Sequence, residues 1–450
     1  ELCSVLDNRD GVRWSVVQGD VAAVNRHIAA GTAVDGGSGA PLMWAACRCG
    51  HVEVAQALAA HGMGANCEHL GDTALHVAAQ HGHAETVAWL LTQADVDVNG
   101  RSGDGSTAFM SACAGGAGAV AVQLAEAGAM LECVTEEGVT PLHAAAEHGL
   151  EEVVRVLVET GADCSAVTGD GRSVVWCAAR GGHVGVLRMV LGRVAAIEAA
   201  VNTVVPGHGS ALWVACHHGH TDVVGMLLSH VTDVDATHDS LNNATALHEA
   251  ARCGAVTAVR ELLARGANVQ KLTSAHESAL MYACHGGHTD VVFALLLADA
   301  TLVNVASSTV GSPLYVACTR RHSTVCGALL DAGADARYVF ADGTSVLQAA
   351  AAEGLTAVVT RLLAVGVDMD YARPSDGMTA LMLAAGRDYT EVMAALVGAG
   401  CDVALRNGKG HTAAEVARRA GCVSAWRALA GGAGGGAGAP AGAVRPPGSE

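Results

Sequence analysis

Residues 138–158 read GVTPLHAAAEHGLEEVVRVLV, and this stretch decides the fold. It begins at a turn residue, passes through Thr-Pro-Leu-His and a run of alanines to a glycine, and ends in a stripe of Val and Leu. Closely related stretches occupy residues 71–91, 243–269 and 277–297. Self-similarity at a fixed spacing is typical of repeat architectures, in which each copy forms one supersecondary unit. The sequence therefore predicts a repeat protein.

The leucine of Thr-Pro-Leu-His, or the residue that replaces it, marks thirteen copies along the chain. Successive markers are 31 to 37 residues apart, and most spacings are 33 or 34. The markers are Val12, Met43, Leu75, Phe109, Leu142, Val175, Leu212, Leu247, Leu280, Leu314, Leu347, Leu381 and Ala414. A period in this range predicts a solenoid, because one unit cannot bury its apolar face alone and stacked units can.

A glycine lies seven residues after the marker in eleven of the thirteen copies, as at Gly149. A glycine at this point fits a left-handed cap that ends a short first helix. Arg321 and Asp388 take the same place in the two remaining copies, where we expect a loosened or distorted turn. Eight residues after the glycine a leucine recurs, as at Leu157, and it belongs to an apolar face at helical spacing.

The best copies of the motif resemble the ankyrin repeat. They are Thr140-Pro141-Leu142-His143, Thr73-Ala74-Leu75-His76 and Thr245-Ala246-Leu247-His248. The resemblance covers roughly residues 10–430 and implies an all-α ankyrin-repeat solenoid with a β-turn finger and an antiparallel helix pair in each repeat. We expect an N-terminal lead-in at residues 1–10 and a solenoid over residues 11–430, with caps near residues 11–35 and 410–430. A flexible Gly/Ala/Pro-rich tail or linker is expected at residues 431–450.

The composition argues against several classes of function. The 450-residue chain carries 26 Lys and Arg against 44 Asp and Glu, a net charge of −18. A general nucleic-acid binder needs a basic surface for phosphate contacts, so we expect no nucleic-acid partner. No apolar run approaches the ~18–20 residues that span a bilayer, so we expect no membrane insertion. The 15 cysteines lack the density of a small disulfide scaffold, which indicates the cytoplasm, or alternatively the nucleus.

The fifth and sixth residues after each marker carry an excess of basic side chains. The resemblance implies that these residues end the first helix and face a concave groove. The predicted partner-binding residues are Arg48, Arg180, His217, His218, Arg252, His285, Arg320 and Arg387. Only Glu147 and Glu353 are acidic at these positions. One explanation is an acidic or phosphorylated partner segment. The other is that cations stabilise the C-terminus of a helix whatever binds; the sequence favours neither.

Other residues at first suggest metal binding or catalysis. Cys216-His217-His218-Gly219-His220 is rich in ligand types, but Cys216 stands where other copies carry Ala, so we expect packed thiols and no metal. No nucleotide-binding loop or zinc-protease helix is present, so we expect neither a cofactor nor catalysis. Trp44, Trp176, Trp213 and Tyr315 follow the marker. They are either groove anchors or fillers of the space between repeats, and the second interpretation is favoured.

The functional hypothesis is a non-enzymatic scaffold or adaptor that binds partner proteins along its groove. The alternative is the regulatory array of a larger enzyme or channel, such as a kinase, a ubiquitin-ligase subunit or an ion channel. Two long spacings carry extra residues near 193–209 and 229–244, where we expect inserted loops and a second candidate surface. A chain that begins with Glu and ends in a Gly/Pro tract also raises the hypothesis of a fragment of a longer protein.

Overall fold

The computed structural model describes residues 11–30, 41–237 and 242–432. The predicted lead-in at residues 1–10, most of the predicted tail and part of the second insertion lie outside these residues. The chain divides into two compact units, Glu1–Leu241 and Asn242–Glu450. Within the described residues, each unit is a series of antiparallel helix pairs, seven in the first and six in the second. The predicted all-α architecture of paired helices is confirmed.

The helices of the first unit follow one another in pairs, with one additional helix, α13. They are α1 Gly11–Gln18, α2 Val21–Ala29, α3 Leu42–Cys49, α4 Val52–Ala60, α5 Ala74–Gln80, α6 Ala84–Leu90, α7 Ala108–Ala114, α8 Gly118–Glu126, α9 Pro141–His148, α10 Glu151–Glu159, α11 Val174–Gly181, α12 Val184–Leu191, α13 Ile197–Asn202, α14 Ala211–His217 and α15 Thr221–Leu227. Two strands of two residues each, β1 Glu68–His69 and β2 Asp72–Thr73, pair antiparallel and form a short hairpin in one of the turns between repeats.

The second unit continues the same pattern. Its helices are α16 Ala246–Arg252, α17 Val256–Ala264, α18 Ala279–Gly286, α19 Thr289–Ala298, α20 Pro313–Thr319, α21 Ser323–Asp331, α22 Val346–Ala352, α23 Thr356–Val365, α24 Ala380–Ala385, α25 Thr390–Gly398, α26 Ala413–Ala420 and α27 Val423–Gly432. A 3₁₀ helix, Ala300–Asn304, follows α19. Isolated antiparallel bridges, such as Leu272 with Ser278, close the fingers that precede the first helices.

The polar residue and the glycine that recur in each copy of the motif explain where most first helices begin and end. Thr140 caps α9 by accepting a hydrogen bond from the backbone amide of His143, and His143 Nδ1 accepts in return from the Thr140 amide at 3.3 Å. This reciprocal arrangement satisfies amides that the first turn of a helix leaves unpaired. Gly149 then ends α9 with a φ of 71°. A glycine adopts this left-handed conformation at little energetic cost because it has no Cβ.

The core lies between the helices of each pair and between neighbouring repeats. The recurring leucines of the second helices, such as Leu157 and Leu295, are buried, as are most alanines of the first helices. Histidines connect one repeat to the next: His183 Nε2 lies 3.0 Å from the Glu147 carbonyl oxygen, and His288 Nε2 lies 2.9 Å from that of Arg252. Each repeat is thereby held by its neighbours, as nearest-neighbour stabilisation of a solenoid requires.

Two expectations about irregular segments are wrong. Arg321 and Asp388 keep the left-handed conformation of the glycines they replace, at φ 66° and 60°, so these turns are strained and not distorted. The insertion near residues 193–209 contains the helix α13 instead of an open loop, and Val194, Val201 and Val205 of this segment are buried. Burial of its valines anchors the insertion on the repeat that it interrupts.

Candidate partner-binding surface

Each unit presents a groove face, which we define as the exposed side of the first helices together with the fingers that precede them. In the second unit this face contains a cavity of about 360 Å³. Residues of three successive first helices line it, namely α16, α18 and α20, and the fingers before α18 and α20 close one side. The cavity therefore spans three repeats, so no single repeat could form it.

The cavity has an apolar floor. Met281 and Val316 lie at its base and are 1% and 5% exposed. Tyr282 forms a wall, with its ring 5.2 Å from that of His248 in an edge-to-face arrangement. Val310 contributes a second apolar wall from the finger before α20. Water molecules in contact with these apolar side chains are in an unfavourable environment. An apolar side chain that displaced this water would therefore bind favourably.

Three predicted binding residues, Arg252, His285 and Arg320, meet at the rim of this cavity. The Arg252 Nε lies 2.7 Å from a carboxylate oxygen of the buried Glu249, so its charge is balanced within the chain. Arg320 is exposed, and its guanidinium makes no hydrogen bond or ion pair with any residue that the structure describes. Of these two arginines, Arg320 is the one with an unbalanced charge for a ligand to neutralise.

The cavity shifts the acid–base behaviour of its titratable groups. Burial lowers the pKa of His285, and the neighbouring Arg320, His322 and Arg252 lower it further. Burial, followed by the carboxylates of Glu277 and Glu249, raises the pKa of Tyr282 to about 12. At neutral pH the rim therefore carries a neutral imidazole and a neutral phenol beside the arginines.

Glu277 adds a single carboxyl group to the finger side of the cavity. Burial raises the pKa of Glu277, and its carboxyl group has no hydrogen-bonding or ionic partner among residues 11–30, 41–237 and 242–432. Sequence reasoning missed Glu277, Met281 and Tyr282 as members of a site. The one signal available for Tyr282 was an aromatic residue two positions after the repeat marker, where most copies carry a small or aliphatic side chain.

The other predicted residues do not join this cavity. Arg180 forms an ion pair with Glu147, which occupies the same position one repeat earlier. Arg387 repeats this arrangement with Glu353, with 2.7 Å between nitrogen and oxygen. The two acidic exceptions in the sequence pattern are thus the partners of two of the predicted arginines. Surface pairs of this kind contribute little stability, but they leave little net charge for a ligand.

Aromatic side chains accompany the remaining predicted residues of the first unit. The His217 ring stacks on Trp213 with 4.9 Å between ring centres, and the His218 ring lies edge-on to His217 at 5.1 Å. The Arg48 guanidinium lies 5.4 Å from the centre of the Trp44 ring. A cation over an indole face is stabilised by about 0.5–1 kcal/mol at an exposed site. These residues contact their own repeats.

The tryptophans after the markers fill space between repeats. Trp44, Trp176 and Trp213 are all buried, and the Trp176 indole nitrogen donates to the Gly209 carbonyl oxygen at 3.2 Å. His143 makes the equivalent contact from the same position with the Ala166 carbonyl oxygen at 3.1 Å. The Trp44 indole nitrogen is buried and has no hydrogen-bond partner in the described part of the chain. The interpretation as fillers is confirmed for these three residues.

The cysteines after the markers are packed thiols. Cys47, Cys113, Cys216, Cys284 and Cys318 are fully buried. Burial also raises the pKa of Cys177 to about 12, so its thiol stays protonated at neutral pH. Among the residues with described positions, no three His, Cys, Asp or Glu side chains converge as metal ligands.

A model of ankyrin repeats matches residues 13–102, 93–168, 109–203, 175–273, 270–340 and 346–435. The chain belongs to the ankyrin repeat family. The matched segments cover both helix-pair units and most of the thirteen copies that the sequence marks. Within the described ranges, no helix is both long and apolar enough to cross a membrane.

One relative and two solved structures that are similar to this chain share 24–28% sequence identity with it. A Transient receptor potential cation channel subfamily A member 1 homolog from Caenorhabditis elegans is 28% identical over 173 residues, which is 38% of this chain and 14% of that protein. The human ASB11 ankyrin repeat domain is 24% identical with a TM-score of 0.43, and the match covers 52% of this chain and all of that domain. The ankyrin repeat domain of Bcl-3 is 27% identical with a TM-score of 0.40, and the match covers 46% of this chain and 95% of that domain.

Proposed function

We propose that this protein is a non-enzymatic scaffold or adaptor that binds an acidic segment of a partner protein along the groove face of its second unit. Ankyrin repeats are protein–protein interaction modules, which supports the general part of the proposal. The cavity with the unbalanced Arg320 at its rim supports the specific part. A complementary carboxylate at this point would gain a charge-assisted hydrogen bond without breaking an existing ion pair.

The proposed location is the cytoplasm or the nucleus. All fourteen cysteines within the described residues are free thiols, although several lie close together. Cys318 and Cys326, for example, have sulfurs 3.5 Å apart. Most of these thiols are buried and serve as small core residues, a use of cysteine that is typical of a reducing compartment.

The alternative of a regulatory array within a larger enzyme or channel stays a hypothesis. The matched stretch spans 14% of the channel homolog, so the similarity concerns one part of that protein. It is compatible with both a stand-alone scaffold and an array in a longer chain, and it favours neither.

Quantitative affinity purification from a cell extract tests the proposed function. The baits are the wild-type chain, Arg320→Glu, and Arg260→Glu as a matched control with the same charge change on the second helix α17. We expect Arg320→Glu to lose a set of proteins that Arg260→Glu retains, with unchanged circular dichroism for both variants. Identical protein sets for all three baits would contradict the placement of the binding site at this cavity.

A further inference from the structure

The cavity combines a small apolar volume with an arginine, Arg320, and a carboxyl group, Glu277, whose pKa is raised by burial; both are unpaired within the described residues. Its volume of about 360 Å³ is at the lower end of the ~300–1,000 Å³ typical of ligand pockets, which suits one or two side chains. Met281 and Val316 at its base offer no hydrogen-bonding group that a polar side chain could use. An apolar side chain is therefore the occupant that this base favours.

The charge at the rim defines the neighbour of that side chain. Arg320 and His285 lie on the same rim, and Arg320 has its guanidinium donors available. A carboxylate one residue away from the buried apolar side chain would reach these donors. Glu277 lines the same cavity from the finger, so a dianionic phosphate would meet more repulsion than a monoanionic carboxylate.

We propose that the cavity anchors a partner peptide at an apolar residue directly adjacent to Asp or Glu, and that His285 takes up a proton when this carboxylate binds. This inference rests on the proposed function and specifies the partner's chemistry. The groups near His285 are Arg252 on α16, Tyr282 on its own helix, Glu277 on the finger, Arg320 directly after α20 and His322 directly before α21.

The proton uptake follows from the balance of charges around the imidazole. In the free protein, burial and then the neighbouring Arg320 and Arg252 lower the pKa of His285 and so oppose its protonation. A bound carboxylate offsets the effect of the two arginines and raises the pKa of His285. The complex then binds more protons than the free protein, so affinity rises as pH falls through that range.

Selection from a random peptide library displayed on phage tests the occupant. The full chain is the target, with Arg320→Glu, Thr319→Trp and the control Arg260→Glu as comparison targets. Thr319 lines the cavity and is exposed, so a tryptophan there would block the mouth with little effect on the core. We expect the enriched peptides to share an apolar residue next to Asp or Glu. Binding should fall about ten- to hundredfold with Arg320→Glu or Thr319→Trp, and should persist with Arg260→Glu.

Several outcomes would overturn the inference. These are the absence of any enriched peptide, enrichment of peptides without an acidic residue, or equal binding to wild type and Thr319→Trp. Tighter binding of a phosphoserine version of the enriched peptide than of its Asp version would show that the cavity selects a phosphate and not a carboxylate. Loss of cellular partners from Arg320→Glu together with any of these results would leave partner binding at this cavity standing and remove only the stated peptide chemistry.

The pH dependence of affinity tests the role of His285. Using the enriched peptide, we expect affinity to rise about three- to tenfold from about pH 8 to about pH 5.5. In His285→Gln this rise should disappear, whereas His217→Gln in the first unit should retain it. A flat profile in the wild type, or an unchanged rise in His285→Gln, would show that His285 does not take up the proton.

Discussion

Arg180 in the first unit and Arg320 in the second both follow the repeat marker by five or six residues, yet their environments differ. Glu147 stands at the matching position one repeat before Arg180 and forms an ion pair with it. One repeat before Arg320 the chain carries His285 and Gly286, and neither can supply a carboxylate. The availability of a cation in a solenoid thus depends on the neighbouring repeat as much as on the position within its own repeat.

The two units also differ in how the residue after the marker fills the groove face. In the first unit Trp176 and Trp213 are buried there, and the Trp176 indole reaches the next finger. In the second unit Met281 takes this position and lies at the base of the cavity. A flexible methionine occupies less volume than an indole, which accounts for the space that remains above it.

The largest predicted effect concerns the core, which is built from the same kinds of residues in each unit. Leu157→Ala in the first unit and Leu295→Ala in the second each remove a fully packed side chain from a second helix. We expect each to lower the free energy of unfolding by about 2–5 kcal/mol. Urea denaturation followed by circular dichroism measures both. A loss below ~1 kcal/mol in either variant would show that the two cores are not equivalent.

Acid should weaken the second unit through His248. Burial lowers the pKa of His248 to about 4, from 6.5, although hydrogen bonds and the nearby Glu249 act in the opposite direction. The folded state therefore resists protonation that the unfolded state accepts. The resulting stability is complete above about pH 6.5 and is lost as pH falls towards 4, by on the order of 3 kcal/mol.

His248→Gln is the matched variant for this prediction. Gln348 occupies the same repeat position, donates to the Tyr371 and Met378 carbonyl oxygens and accepts from the Ser345 amide. A glutamine at position 248 should make the equivalent contacts in its own repeat. It removes the imidazole and therefore the proton uptake at this position. Chemical denaturation at several pH values should show a flatter acid profile for the variant. The same slope as in the wild type would exclude His248 as the source of acid sensitivity.

The caps give a smaller contrast between the units. Every described first helix of the first unit is followed by a left-handed glycine, whereas Arg321 and Asp388 take this place in the second unit. We expect Arg321→Gly to stabilise the protein by about 1 kcal/mol. Asp388→Gly should gain less, because the Asp388 carboxylate accepts a hydrogen bond from the Ala425 amide at 2.6 Å. Equal gains in thermal unfolding would contradict a structural role for that hydrogen bond.

The smallest predicted effect is the ion pair that distinguishes Arg180 from Arg320. Both partners are partly exposed, so their coupling should contribute only about 0.2–1 kcal/mol. A double-mutant cycle with Arg180→Ala and Glu147→Ala measures this coupling through the free energy of unfolding. A coupling of zero would mean that Arg180 is as available as Arg320 and would remove the contrast between the two groove faces.

The sequence was sufficient for the repeats, the helix pairs and the positions of the caps, because each depends on residues close together in the chain. It was insufficient for the cavity, which depends on the volumes of Met281 and Val316 on two different repeats. The pairing of Glu147 with Arg180 joins residues 33 positions apart, so a comparison of neighbouring repeats could have found it. The helix α13 is only six residues long, too short for a periodic pattern to reveal.

Hydrogen–deuterium exchange of the full chain with a peptide of alternating leucine and glutamate tests the central claim most directly. We predict that the peptide slows exchange in Ala279–Gly286 and Pro313–Thr319 and in the fingers that precede them. The corresponding helix of the first unit, Val174–Gly181, should be unaffected, and Arg320→Glu should abolish the protection. Protection of Val174–Gly181, protection that survives Arg320→Glu, or no protection at all would contradict the account.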